Sequence, residues 1–192
     1  MKIMYYFEYI SVFYIKLIRA IYKNVYRKEY IMISIEKING KMYNLSKPKF
    51  ICTIVILSFI ISVIFIPITI IYEKYMGAMG GPGTKNLTTL FISIAIIAPL
   101  WETLIFQMGI IKLFSLNKKF KSNKLLLMFI SAIFFGGDHF YSILYIFYGF
   151  TMGLLLAYSF IVYEDKQNSG YWITAIIHSL INLIKFAFVI LN

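Results

Sequence analysis

From Phe50 to Tyr72 the chain runs 23 residues without a charged side chain. At about 1.5 Å per helical residue, such a run crosses a hydrocarbon core of about 30 Å. A polar, glycine-rich stretch, EKYMGAMGGPGTKN from Glu73 to Asn86, breaks the pattern before a second apolar run over Leu87 to Phe114. A third run covers Leu125 to Tyr141 and a fourth Ile143 to Tyr163. The fifth, Tyr171 to Leu191, follows the turn EDKQNSG. The first 49 residues differ, mixing Tyr, Ile and Phe with Lys and Glu at near-helical spacing, as in a helix lying in the membrane interface. The expected fold is therefore all-α: a polytopic transmembrane helix bundle of about five spans over residues 50–192, preceded by a basic amphipathic, cytoplasmic or interfacial segment, 1–49. A sixth span through Ile3 to Tyr22 is the alternative, and it would move the N-terminus outside.

Composition agrees with the pattern. Sixty per cent of residues are hydrophobic and the mean hydropathy is +0.78, beyond the roughly half-apolar content of a soluble domain. The segments between apolar runs are too short to fold separately, so the bundle reads as one domain. Gly149 and Gly153 form a small-xxx-small pair suited to close helix packing. The net charge of +11 raises nucleic acid as a partner, but the lysines and arginines flank apolar runs and build no basic folded face. Their expected partner is the lipid bilayer, through anionic headgroups.

Ten of these basic residues precede Phe50, two lie between the first two runs, five lie from Lys112 to Lys124, none falls in the third turn, and only Lys166 in the fourth. By the positive-inside rule this implies a multi-pass cell-membrane protein with a cytoplasmic N-terminus and an outer C-terminus. Glu8, Lys16 and Arg19 interrupt the first apolar stretch, which argues against a cleaved signal peptide. The single Cys52 forms no internal disulfide and is expected to pack inside its run. Lysine-rich, arginine-poor usage with abundant isoleucine and tyrosine suggests a bacterial source.

Several polar residues stand where lipid would exclude them. An ionisable side chain near the bilayer centre costs about 2.5–3.5 kcal/mol on insertion scales, so it normally faces the bundle interior. Counted from the expected cytoplasmic helix ends at 1.5 Å per residue, Glu102 lies roughly 18 Å deep, His139 about 21 Å, His178 about 10 Å and Asn182 about 16 Å. These are the only two histidines in the chain. Residues four apart share a helix face, which pairs His178 with Asn182, Phe135 with His139, and Thr103 with Gln107. Pro99, three residues before Glu102, frees a backbone carbonyl that only a polar interior can satisfy. Together these predict a hydrated cavity within the membrane. The plainer readings are helix-to-helix hydrogen bonding for each histidine, a structural ion pair between Glu102 and Lys185, a Lys185 that snorkels to the outer surface, and interfacial capping for Asp138. Trp101 and Trp172 read as packing or interfacial anchors.

In order along the chain, APLWETLIFQMG, FFGGDHF and HSLIN resemble the three motifs of the CPBP family (CAAX protease and bacteriocin-processing, or ABI, intramembrane proteases), written E-E-x-x-x-R, F-x-x-x-H and H-x-x-x-N. The resemblance spans Ile94 to Asn182. It implies catalytic positions at Glu102, His139, His178 and Asn182, with Phe135 as the motif phenylalanine. Two positions depart: Thr103 stands for the second glutamate and Gln107 for the arginine. Both charges of an i to i+4 pair are thus replaced, which leaves no orphaned buried charge and reads as a substituted support pair.

What the resemblance implies is an intramembrane endopeptidase acting on a membrane-associated or lipidated peptide or protein. Glu102 is assigned as general base on water, His139 as the group that orients that water, and His178 with Asn182 as stabilisers of the oxyanion. Two histidines and a carboxylate also suit Zn²⁺, with Glu102, His139 and His178 as ligands, but no H-E-x-x-H spacing is present, and the reading leans to a metal-free site. One rival is a catalytically inactive member acting as a bacteriocin immunity or binding protein, supported by the missing charge pair. Another is a small transporter, a class that usually carries broken helices in two similar halves; only one proline-interrupted polar span is present here.

Overall fold

The computed structural model describes residues 39–81 and 86–191. Two units divide the chain, Met1–Leu45 and Ser46–Asn192. Of the first, only a helical stretch over 39–44 and the residue after it are described. The interfacial-helix expectation for 1–49 and the sixth-span alternative therefore fall almost wholly outside the described residues.

The second unit is helical, with no strand among the described residues: α1 (Lys47–Met76), α2 (Leu87–Ser115), the short α3 (Lys118–Lys121), α4 (Lys124–Asp138), α5 (Ile143–Gln167) and α6 (Gly170–Leu191). Pro48 enters α1 in its first turn, where a missing N–H costs nothing. Asn86 caps α2 by accepting from Thr89 N, Asn123 caps α4 and Ser142 caps α5 in the same manner. After α1 the chain folds back: Gly77 and Gly80 take φ of 96° and 81°, a region open chiefly to glycine, and Glu73 accepts from Met79 N.

Among the described residues, α1, α2, α5 and α6 are long and apolar enough to cross a membrane. The third expected run, α4, is not among them: its helix stops at Asp138 after 15 residues, about 22 Å, three residues short of the expected end near Tyr141. Its antiparallel neighbour α5 covers about 33 Å between Asp165, which pairs with Lys124 at the start of α4, and Ile143. Residues 139–142 join α4 to α5 without helix, in a turn where Tyr141 N–H donates to His139 O. Irregular backbone at membrane depth is stable only where protein or a polar cavity surrounds it, so this local ending has a functional implication.

Glycines set the α4–α5 contact. A Cβ on Gly153 would approach Ala132 Cα to 3.0 Å and Phe135 Cβ to 3.1 Å; one on Gly136 would meet Phe150 N at 2.8 Å. The pair Gly149 and Gly153 therefore packs as its spacing suggested, and what it packs against is the segment carrying Phe135 and His139. Near the Lys124 end, Ile111, Leu127, Ala157, Phe160 and Ile161 form a buried apolar cluster, and Lys112 pairs with Glu164 at 3.0 Å. Cys52 is exposed on α1, contrary to the expectation that it packs inside.

Candidate active site

Two stretches of α2, Ser93–Ile97 and Thr103–Ile110, are wound as π-helix, on either side of the Pro99 and Glu102 turn. In the first, Ala98 N–H reaches back five residues to Ser93 O. The next carbonyl in that register, Ile94 O, faces Pro99, which has no N–H to give. Asn182 Nδ2 on α6 donates to it instead, at 2.8 Å. In the second stretch, Phe106 O accepts from Ser131 Oγ on α4 at 2.9 Å. Leu100 O accepts from Tyr171 Oη at 3.4 Å. Carbonyls around this irregular winding thus accept from side chains of other helices, and this holds the Glu102 turn against α4 and α6.

His139 is not a helical residue. It is the C-cap of α4, with φ −94° and ψ 43°, and its N–H turns to Gly136 O. The Phe135 carbonyl, which that N–H would take in a continuing helix, accepts from His139 Nδ1 at 2.7 Å. A carbonyl only accepts, so Nδ1 carries the proton and Nε2 of the neutral ring is left as an acceptor. The F-x-x-x-H spacing therefore works through ring and carbonyl, with the helix ended by that exchange and by the weak helix formers Gly136 and Gly137. Phe135 lies between both imidazoles, its ring centroid 4.6 Å from His139 and 5.7 Å from His178. Tyr145 stacks on the other side of His139, 5.7 Å away with planes 16° apart.

The two rings face one carboxylate. Glu102 Oε2 lies 3.6 Å from His178 Nε2 and 4.0 Å from His139 Nε2. Both gaps exceed a direct hydrogen bond, and both let one water molecule touch carboxylate and imidazole together. Asp138 and Lys185 are within electrostatic reach of Glu102, but no ion pair joins Glu102 to Lys185, whose Nζ sits 4.8 Å over the Tyr148 ring. Asp138 is exposed at the end of α4, and Trp101 and Trp172 are exposed as well.

Thr103 and Gln107 are fully buried, yet Thr103 Oγ1 and both Gln107 amide atoms have no hydrogen-bond partner among the described residues. The two side chains therefore form no hydrogen bond with each other. Both lie in the π stretch Thr103–Ile110. His178 Nδ1 and, one turn earlier, Thr174 Oγ1 are also buried without a partner. Sequence reasoning missed Ser131, Tyr145, Tyr171 and Thr174. Ser131 and Thr174 carried a signal, each being a polar residue one turn before a motif residue on the same face; the tyrosines, among 16 in the chain, carried none. Glu102, His139 and His178 match zinc in donor type, but among the described residues no three His, Cys, Asp or Glu side chains are grouped to hold a metal ion.

Residues 84–184, more than half of the 192-residue chain, match the family described as Type II CAAX prenyl endopeptidase Rce1-like. No curated protein and no solved structure matches the chain.

Proposed function

Because the chain belongs to the type II CAAX prenyl endopeptidase Rce1-like family, we propose that it hydrolyses a peptide bond of a membrane-associated or lipidated peptide, using water activated by Glu102. The observation that carries this reading is one carboxylate oxygen facing two imidazole Nε2 atoms, 3.6 and 4.0 Å away. Glu102 takes a proton from the water, and the water oxygen attacks the scissile carbonyl carbon. His139 Nε2 accepts the second hydrogen of that water and fixes its lone pair toward the substrate. His178, protonated on Nε2, donates to the oxygen that gains charge. Glu102 then passes its proton to the leaving nitrogen as the C–N bond breaks, giving a carboxylic acid and an amine, and the acid's remaining proton ends on the amine as carboxylate and ammonium. Asn182, which donates one Nδ2 hydrogen to Ile94 O and so keeps a second for the oxyanion, also acts as a brace for the Glu102 turn. The setting is the cell membrane, with the basic stretch over 112–124 on the cytoplasmic side.

A second reading, a binding or immunity protein that keeps the fold without cleaving, draws on Thr103 and Gln107 standing where the motif has charges. Purified protein in liposomes, incubated with a membrane-spanning peptide library and analysed by mass spectrometry, separates the two. The protease reading predicts discrete new termini that vanish in Glu102→Gln. Peptide capture without new termini supports the binding reading and overturns the first.

A further inference from the structure

Five hydroxyls in the membrane-crossing helices satisfy themselves locally: Thr53, Ser62, Ser115, Thr151 and Ser159 each donate to the carbonyl four residues back, at 2.6–2.9 Å. Thr174 on α6 does not. It is fully buried, and its Oγ1 has no hydrogen-bond partner among the described residues. The same holds for His178 Nδ1, one turn further along the same face. A helical side chain leans back toward the N-terminus of its helix, so the His178 ring lies over the turn that carries Thr174. Nε2 is 3.6 Å from Glu102, while Nδ1, the nitrogen nearer the backbone, stays buried at α6. The third member comes from α2, which runs antiparallel to α6, since Ile94 meets Asn182 and Glu102 meets His178. Five residues beyond Glu102 and four before His178 come to nearly the same height, about 6–7.5 Å toward the Lys112 end of α2. Those positions are Gln107 and Thr174, and Gln107 is fully buried with both amide atoms unpartnered among the described residues.

Buried polar groups left without a partner are costly, and a buried water with about three hydrogen bonds removes that cost. We infer that Thr174 is a positioning residue: through one internal water shared with Gln107 it holds His178 Nδ1 as an acceptor, and so keeps the ring proton on Nε2, the side that meets Glu102. The water accepts from the Thr174 hydroxyl and donates to His178 Nδ1 and Gln107 Oε1. This rests on the protease reading, in which His178 Nε2–H donates to the oxyanion, and it gives Gln107 a task that a guanidinium at that position could not perform, because an amide accepts and a guanidinium only donates. The two histidines of the chain then carry opposite tautomers, His139 protonated on Nδ1 by its bond to Phe135 O and His178 on Nε2.

With only two histidines in the chain, ¹⁵N-histidine labelling and solid-state NMR of the full protein in liposomes read both tautomers directly, and His139→Gln assigns the signals by removing one ring. The parent is expected to show a bare Nδ1 and a protonated Nε2 at His178, and the reverse at His139. In Thr174→Val the His178 signals should shift to a mixture of both tautomers, whereas Thr174→Ser should keep the parent pattern. Gln107→Met, which removes another partner of the same water, should move His178 in the same direction as Thr174→Val and serves if the valine variant fails to fold. On a peptide that the parent cleaves, kcat should fall about fivefold or more in Thr174→Val with KM within about twofold, and recover in Thr174→Ser. A parent His178 protonated on Nδ1 overturns the inference without any variant, as do His178 signals that stay unchanged in both Thr174→Val and Gln107→Met, or a Thr174→Val loss confined to KM. Absence of turnover in the parent, with the opposed tautomers and their dependence on Thr174 intact, counts against the protease reading and leaves the hold of Thr174 on His178 supported.

Discussion

A hydrogen bond that replaces a missing one explains more of this site than any single charge. Asn182 fills the gap left by Pro99 at Ile94 O, so Asn182→Ala strands a partly buried carbonyl, at a cost of about 1–3 kcal/mol. Turnover should fall roughly 10- to 100-fold and the thermal midpoint should drop. Asn182→Asp, which keeps shape but not the donor, should behave like alanine; full activity in the aspartate variant would refute the brace. Thr103 and Gln107 give a second residue-scale prediction. Thr103→Glu or Gln107→Arg alone buries one unpaired charge and should destabilise by about 3–5 kcal/mol, while the double variant recovers most of that loss. Additive losses in denaturation midpoints would show that the two positions do not meet. The four motif residues were legible because lipid makes any polar residue conspicuous. Their bonding was not, since π winding around Pro99 and the ring-to-carbonyl bond at His139 depend on backbone paths that an ideal helix period does not contain.

At the level of elements, the close crossing of α4 and α5 sets where His139 sits. Gly153→Leu would push α4 off by the width of a side chain, through contacts of 3.0 to 3.1 Å at Ala132 and Phe135. Activity should fall at least 100-fold in that variant while the protein stays membrane-inserted. Gly137→Ala, with nothing within 4 Å of the added carbon, should be neutral or slightly stabilising. Equal effects at both positions would mean that helix propensity, not the crossing, governs the site. Spacing of the small residues announced this contact. The early end of α4 escaped because an apolar run shows where lipid lies and not whether the chain within it is helical; only the Gly136–Gly137 pair hinted at it.

For the whole molecule, the proposed orientation rests on the placement of the basic residues. In a Cys52→Ser background, cysteines at Ser122 and Gln167 should react with an impermeant maleimide from the cytoplasmic side, and one at Gly77 from the outer side. Reversed labelling would invert the proposed topology. The account stands or falls on Glu102 working through water. Its most direct test is a single turnover in H₂¹⁸O, with mass spectrometry of the new C-terminal fragment end. Water attack predicts one ¹⁸O atom in the new carboxylate on the first turnover, and no product from Glu102→Gln. An unlabelled first-turnover carboxylate, its oxygen supplied by the enzyme, or undiminished labelling in Glu102→Gln, would contradict it.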